Sequence, residues 1–166
     1  MLENFFRNIP PVVKNLLIIN ILMFLATEFY HPNGQDLRNV LGLFHFKSPF
    51  FEPYQIVSYM FMHGDFFHLL FNMFSLVMFG AILERIWGPK RFLIFYFVTG
   101  IGAVVLYQLV AYVEYVQIVE SLSAESINSI RDQLSSPDFD GMISYSGEEE
   151  FALAKTLFIP MVGASG

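Results

Sequence analysis

Three long apolar blocks, at about residues 12–30, 66–87 and 92–113, constrain this chain more than any other feature. A helix rises about 1.5 Å per residue, so about 22 residues reach roughly 33 Å, the thickness of a bilayer's hydrocarbon core. A soluble domain of 166 residues is rarely 55% hydrophobic and only 14% charged, with 20 phenylalanines. The fold class expected is therefore an all-α integral membrane protein. It is a helical bundle of three transmembrane helices, with the start of a fourth at 157–166. Arg7 and Lys14 precede the first block, and no small-x-small cleavage site follows it, so it reads as a retained helix rather than a signal peptide. The last ten residues are too few to cross a bilayer, and the chain is expected to stop inside a helix, as a piece of a longer protein.

Punctuation and charge supply the topology. In Trp87-Gly88-Pro89-Lys90-Arg91, Gly88 stops one helix and Pro89 starts the next, making the second and third spans antiparallel neighbours. Arg7, Lys14, Arg85, Lys90 and Arg91 mark the cytoplasmic ends by the positive-inside rule. The N-terminus is then cytoplasmic, the membrane the plasma (inner) membrane, and 31–65 and 114–156 are extracytoplasmic loops. The net charge of −6 is concentrated in the second loop, which holds nine Asp/Glu against Arg131 and Lys155. The basic residues flank membrane helices, so no nucleic-acid partner is indicated; the lipid bilayer is the implied surroundings. In the first loop, Phe44, Phe46, Phe50, Phe51, Tyr54, Tyr59 and Phe61 suggest structure in the membrane interface, either as an anchoring belt or beside a substrate. Ile127, Ile130 and Leu134 have helical spacing, which predicts a short amphipathic surface helix over 124–134.

Polar residues inside such blocks need partners. At about 100° per residue, His68 and Asn72 lie about 40° apart on the second helix, and Ser75 about 20° from His68. His63 is about 140° away if the helix reaches back past Gly64. Glu84 lies about 160° round and about 24 Å further along, so it cannot share a site with His68 and reads as structural, beside Arg85 and the Gly88 turn. The polar face fits interhelical hydrogen bonding or a functional site. A metal site fits poorly: His63 and His68 are off one face with no carboxylate at ligand spacing, and the chain has no cysteine. Gly163-Ala164-Ser165-Gly166 sits at the head of the fourth segment, and span parity puts it at the same depth as His68 and Asn72. An imidazole and a carboxamide beside a serine could stabilise an oxyanion, and the flanking glycines would let backbone approach. The same small residues equally suit close helix packing.

The order His63-x4-His68-x3-Asn72, then Phe79-Gly80-x3-Glu84-x3-Gly88-x2-Arg91-Phe92, then Gly163-x-Ser165-Gly166 resembles the rhomboid family of intramembrane serine proteases. The resemblance covers about 50–113 plus the last ten residues. It implies a six-helix bundle with a cavity opening outward, and an intact parent that is a serine-type endopeptidase cutting single-pass transmembrane protein substrates in or near their membrane segment. It makes Ser165 the nucleophile, His68 and Asn72 oxyanion-hole donors, His63 a supporting residue, Gly163 the backbone of the GxSG motif, and Gly80 and Glu84 structural. No cofactor or metal is implied. The family's general base is a histidine on helix six, which would fall beyond residue 166, so these 166 residues alone are expected to be inactive. The chain has Tyr54-Gln55 where the family often has Trp-Arg. Two rivals are a non-catalytic rhomboid-like protein that binds membrane clients and a purely structural helix scaffold.

Overall fold

A computed structural model of the chain describes residues 8–31, 36–136, 139 and 141–163. Three of its helices are long and apolar enough to cross a membrane: α1 (Pro11–Phe29), α4 (Phe66–Trp87) and α5 (Pro89–Ser121). The short α2 (Arg38–Leu41) and α3 (Gln55–Ser58) lie between α1 and α4, and a 3₁₀ turn, Tyr59–Phe61, follows α3. After α5 come α6 (Ala124–Ser135) and α7 (Glu148–Phe158). The architecture among the described residues is all-α.

The start of α1 shows how a helix end is satisfied in an apolar setting. Pro11 at the first helical position has no N–H to place, and the Lys14 N–H donates to the Pro10 carbonyl at 2.9 Å. The two remaining donors, Val12 N–H and Val13 N–H, bind the two carboxylate oxygens of Glu84 at 3.0 and 2.8 Å. Glu84 is buried on α4, so it clamps the two helices and places negative charge at the positive end of the α1 dipole. One turn earlier, Gly80 lets α1 and α5 approach. A Cβ there would meet the Phe92 ring at 3.1 Å and Val13 at 3.2 Å. The backbone widens to a π-helical turn over Leu76–Gly80 at this crossing. Gly88, at φ 81°, reverses the chain from α4 into α5, and only its conformation calls for glycine, since no atom lies within 4 Å of a Cβ built there.

The third span, expected to end near Val113, continues to Ser121. Glu114 ends the apolar run, but no glycine or proline breaks the helix after it. At 33 residues α5 is about 50 Å long, well beyond the hydrocarbon thickness. Its extension packs Tyr115 with Ile130 and Leu134 of α6 and Leu153, Ala154 and Leu157 of α7, in a second apolar core. The stretch 114–156 is largely helical, and the surface helix expected over 124–134 is α6, Ala124–Ser135. Ser123 caps α6, its hydroxyl accepting from the Ser126 N–H at 3.1 Å. Glu148, Glu149 and Glu150 crowd the first turn of α7, where the dipole favours acids.

The expected start of a fourth helix at 157–166 is corrected over residues 159–163, and 164–166 lie outside the described residues. Helix α7 ends at Phe158, and the chain from Ile159 to Gly163 is not helical. Pro160 is the cause: it holds Ile159 at φ −93°, ψ 116° and offers no N–H to continue the ladder. The extended stretch pairs elsewhere. Met161 and Leu43 exchange both main-chain hydrogen bonds, at 2.9 and 2.8 Å, and the Gly163 N–H donates to the Tyr59 carbonyl at 2.9 Å.

Glu84→Ala is expected to lower stability by about 3 kcal/mol, because two charge-assisted hydrogen bonds go and two helix N–H groups lose their partner. Glu84→Gln, which keeps one acceptor oxygen, should lose about half of that. Unfolding of detergent-solubilised protein by heat or SDS checks both, and unchanged midpoints would show that the clamp is not stabilising.

Candidate active site

Helix α4 begins at Phe66 because the Asp65 carboxylate accepts the His68 N–H at 2.9 Å, an N-cap. His63 therefore precedes the helix, as Gly64 foreshadowed. The two imidazoles nevertheless meet, with ring centroids 5.3 Å apart and planes at 70°. The Gly64 N–H approaches His68 Nδ1 at 3.5 Å, a long hydrogen bond. If Nδ1 accepts, the proton of a neutral His68 sits on Nε2. That edge of the ring faces Gly163.

Gly163 is the tightest point of the site. A Cβ on it would lie 2.7 Å from His68 Cε1 and 2.8 Å from Nε2, and its φ of +88° disfavours any side chain. The glycine is needed for both reasons, and its backbone lies directly against the imidazole. Val162 supports the other side, 3.7 Å from a Cβ built on Gly64. Two residues on, Ser165 lies outside the described residues, as do Ala164 and Gly166.

His63 is buried and Nδ1 has no hydrogen-bond partner. Burial, and then the neighbouring His68, hold its pKa down at about 4, against a smaller opposing pull from the Phe61 backbone. The His63 carbonyl accepts from Arg38 Nε at 3.1 Å. Arg38 also pairs with Asp36 at 2.9 Å and with Glu28 near the end of α1. The segment before His63 is thus tied to the first helix.

Asn72 lies one turn beyond His68, but it lines a cavity of about 170 Å³ together with Asn20, Met60, His63, Met73 and Tyr96. Ser75, expected on the same face, is exposed and does not line that cavity. Asn20 and Tyr96 were not singled out in the sequence. A carboxamide in the middle of the first apolar block was the available signal.

The loop carrying the site is held to α5 by amides. Gln108 donates to the Phe44 carbonyl at 2.8 Å and accepts from the Phe46 N–H at 3.2 Å. Tyr59 donates its hydroxyl to the Gly100 carbonyl at 2.8 Å. Gln55 is buried. Its oxygen accepts from the Phe44 and Glu52 N–H groups, and its nitrogen donates to the Phe50 and Val40 carbonyls. A neutral amide here does the organising by donating and accepting at once.

The Rhomboid domain family matches residues 51–166, which includes both the histidine segment and the Gly163 segment. The chain belongs to the rhomboid family. This rhomboid is 30% identical over 101 residues to YdcA of Bacillus subtilis strain 168, covering 60% of this chain and 51% of that protein. It is 25% identical over 132 residues to RHOMBOID-like protein 2 of Arabidopsis thaliana, covering 59% and 42%. It is 26% identical over 95 residues to Rhomboid-like protease 3 of Toxoplasma gondii, covering 57% and 36%. The chain spans about half or less of the length of these relatives. No solved structure gives a significant match. Family and apolar helices together make this a membrane protein.

Two outcomes test the geometry. Gly163→Ala must place a methyl within contact of the His68 ring and hold a non-glycine residue at positive φ, a strain of about 1–2 kcal/mol before any clash. Lowered thermal stability and a shifted His68 ring signal in NMR are expected. For His63, the unfolded imidazole takes up its proton near pH 6.5 and the folded one only near 4. The unfolded state binds more protons between those values, so stability is full above about 6.5 and falls as pH drops towards about 4. Unfolding midpoints across pH 4–7 should show this slope, and His63→Phe should flatten it.

Proposed function

We propose that this chain carries the nucleophile and oxyanion donors of a rhomboid-type intramembrane serine endopeptidase. The observation supporting the reading is the packing of the Gly163 backbone against the His68 imidazole, since it brings the main chain two residues before Ser165 to a polar group at the head of α4. In this reading Ser165 attacks the scissile carbonyl of a transmembrane protein substrate. His68, Asn72 and the Ser165 N–H donate to the developing oxyanion, and His63 backs His68. Gly163 gives the backbone its approach. The proton acceptor for Ser165 is a histidine of the intact protein outside these 166 residues. The N-terminus is cytoplasmic and the site lies near the opposite face of the plasma membrane, following the lysines and arginines at the ends of α1, α4 and α5.

The test is cleavage of a model transmembrane substrate by a protein extended through its natural C-terminal segment. Ser165→Ala should reduce cleavage by at least about 10³-fold, and His68→Ala by roughly 10²–10³-fold in kcat. Cleavage that survives Ser165→Ala sinks the nucleophile assignment. Labelling of Ser165 by a fluorophosphonate or isocoumarin is expected of the enzyme, and neither a client-binding protein nor a structural scaffold should react.

A further inference from the structure

The peptide unit between His63 and Gly64 is held from both ends. Its carbonyl accepts from Arg38 Nε at 3.1 Å, and its N–H approaches His68 Nδ1 at 3.5 Å. No cis peptide bond occurs among the described residues, so these two groups point in opposite directions across one rigid plane. Fixing the carbonyl therefore fixes where the N–H points. Arg38 is itself fixed, because each nitrogen of its guanidinium has a different partner. Nε binds the His63 carbonyl, one terminal nitrogen binds Asp36 at 2.9 Å, and the other pairs with Glu28 in the last turn of α1. Asp36 also accepts the Arg38 backbone N–H at 2.8 Å, which sets its carboxylate at the head of α2. Two carboxylates offset the guanidinium charge, so what reaches His68 is orientation more than field. The planar fork makes this possible, since a lysine ammonium is a point charge without such an array of donors.

We propose that Arg38 is a positioning residue for the oxyanion donor His68. By holding the His63–Gly64 peptide plane it keeps the Gly64 N–H on Nδ1, so that neutral His68 carries its proton on Nε2. Nδ1 cannot accept from Gly64 and carry a proton at once. Nε2 is the edge that faces Gly163, 2.8 Å from a Cβ built there, on the main chain that leads to Ser165. Arg38 touches no reacting atom and acts through one peptide plane. Its role in catalysis rests on the reading in which His68 donates to the oxyanion, whereas its hold on the tautomer does not.

Imidazole ¹⁵N NMR of the detergent-solubilised protein, extended through its natural C-terminal segment, reads the tautomer, because protonated and bare ring nitrogens resonate far apart. The His68 signals are those that His68→Ala removes. Above the ordinary histidine pKa of about 6.5, wild-type His68 should show a bare Nδ1 and a protonated Nε2. A proton on Nδ1 overturns the proposal. Arg38→Met keeps an unbranched stem and removes every donor. With its helical circular dichroism retained, this variant should turn the single tautomer into a mixture, and an unchanged tautomer overturns the role of Arg38. If Arg38→Met does not fold, Arg38→Lys takes its place and the same two outcomes decide, since one ammonium cannot hold three partners in the geometry of the fork. In cleavage of a model transmembrane substrate, Arg38→Met should lower kcat about 10-fold with KM little changed, a fraction of the roughly 10²–10³-fold that loss of a whole oxyanion donor costs. A raised KM at unchanged kcat would mean a substrate-binding role and overturns the positioning. Wild-type cleavage by His68→Ala sinks the proteolytic reading of His68 and leaves the tautomer result standing. An unchanged tautomer in Arg38→Met sinks the positioning role and leaves that reading standing.

Discussion

Hydrocarbon offers no hydrogen bonds, so every backbone donor and acceptor at membrane depth must find a partner within the protein. Much of this structure follows from that constraint. Prolines at the head of α1 remove N–H groups that would need partners, and the Glu84 carboxylate takes the two that remain. The non-helical stretch between Ile159 and Gly163 is tolerated because Leu43 and Tyr59 satisfy its main chain. The loop before α4 docks on α5 through side chains that answer backbone groups: Gln108, Tyr59 and, within the loop, Gln55. A buried charge such as Glu84 persists because it is fully bonded at a helix N-terminus, where the dipole also favours it.

The same accounting shapes the candidate site. Satisfying Gly163 through Tyr59 holds its backbone next to the ring of His68, and the position must be glycine because neither the φ nor the space admits a side chain. His68 is in turn placed by the Asp65 cap, which sets where α4 begins. A helix start, a main-chain pairing and a missing side chain, far apart in sequence, therefore meet at one imidazole. Arg38 secures the other side by binding the His63 carbonyl while pairing with acids near the end of α1.

Much of this was legible beforehand where the signals are local. Gly88-Pro89 between two blocks and the spacing of His63, His68 and Asn72 act over a few residues; the Asp65 cap, equally local, was not singled out. The α5 extension was missed because apolarity, not helical competence, was read as its limit. Polar residues from Glu114 onwards continue a helix when Tyr115 has α6 and α7 to pack against. The fourth helix was misread because an apolar run at Leu157 outweighed Pro160, a residue whose geometry ends helices. Ser75 shared an angular face with His68 on paper and is exposed in the fold.

By itself, the sequence determined which segments are long and apolar enough to span a membrane, where α4 turns into α5, and which polar residues required a reason to be there. Those properties are set within one segment, by hydropathy, caps and backbone restrictions. Only the tertiary structure decided that Met161 pairs with Leu43, that Glu84 caps α1, and that Asn20 and Tyr96 share a cavity with His63. Periodicity fixes the angles of side chains around their own helix. The rotation of one helix against another comes from packing, here permitted by Gly80 at the crossing of α1, α4 and α5.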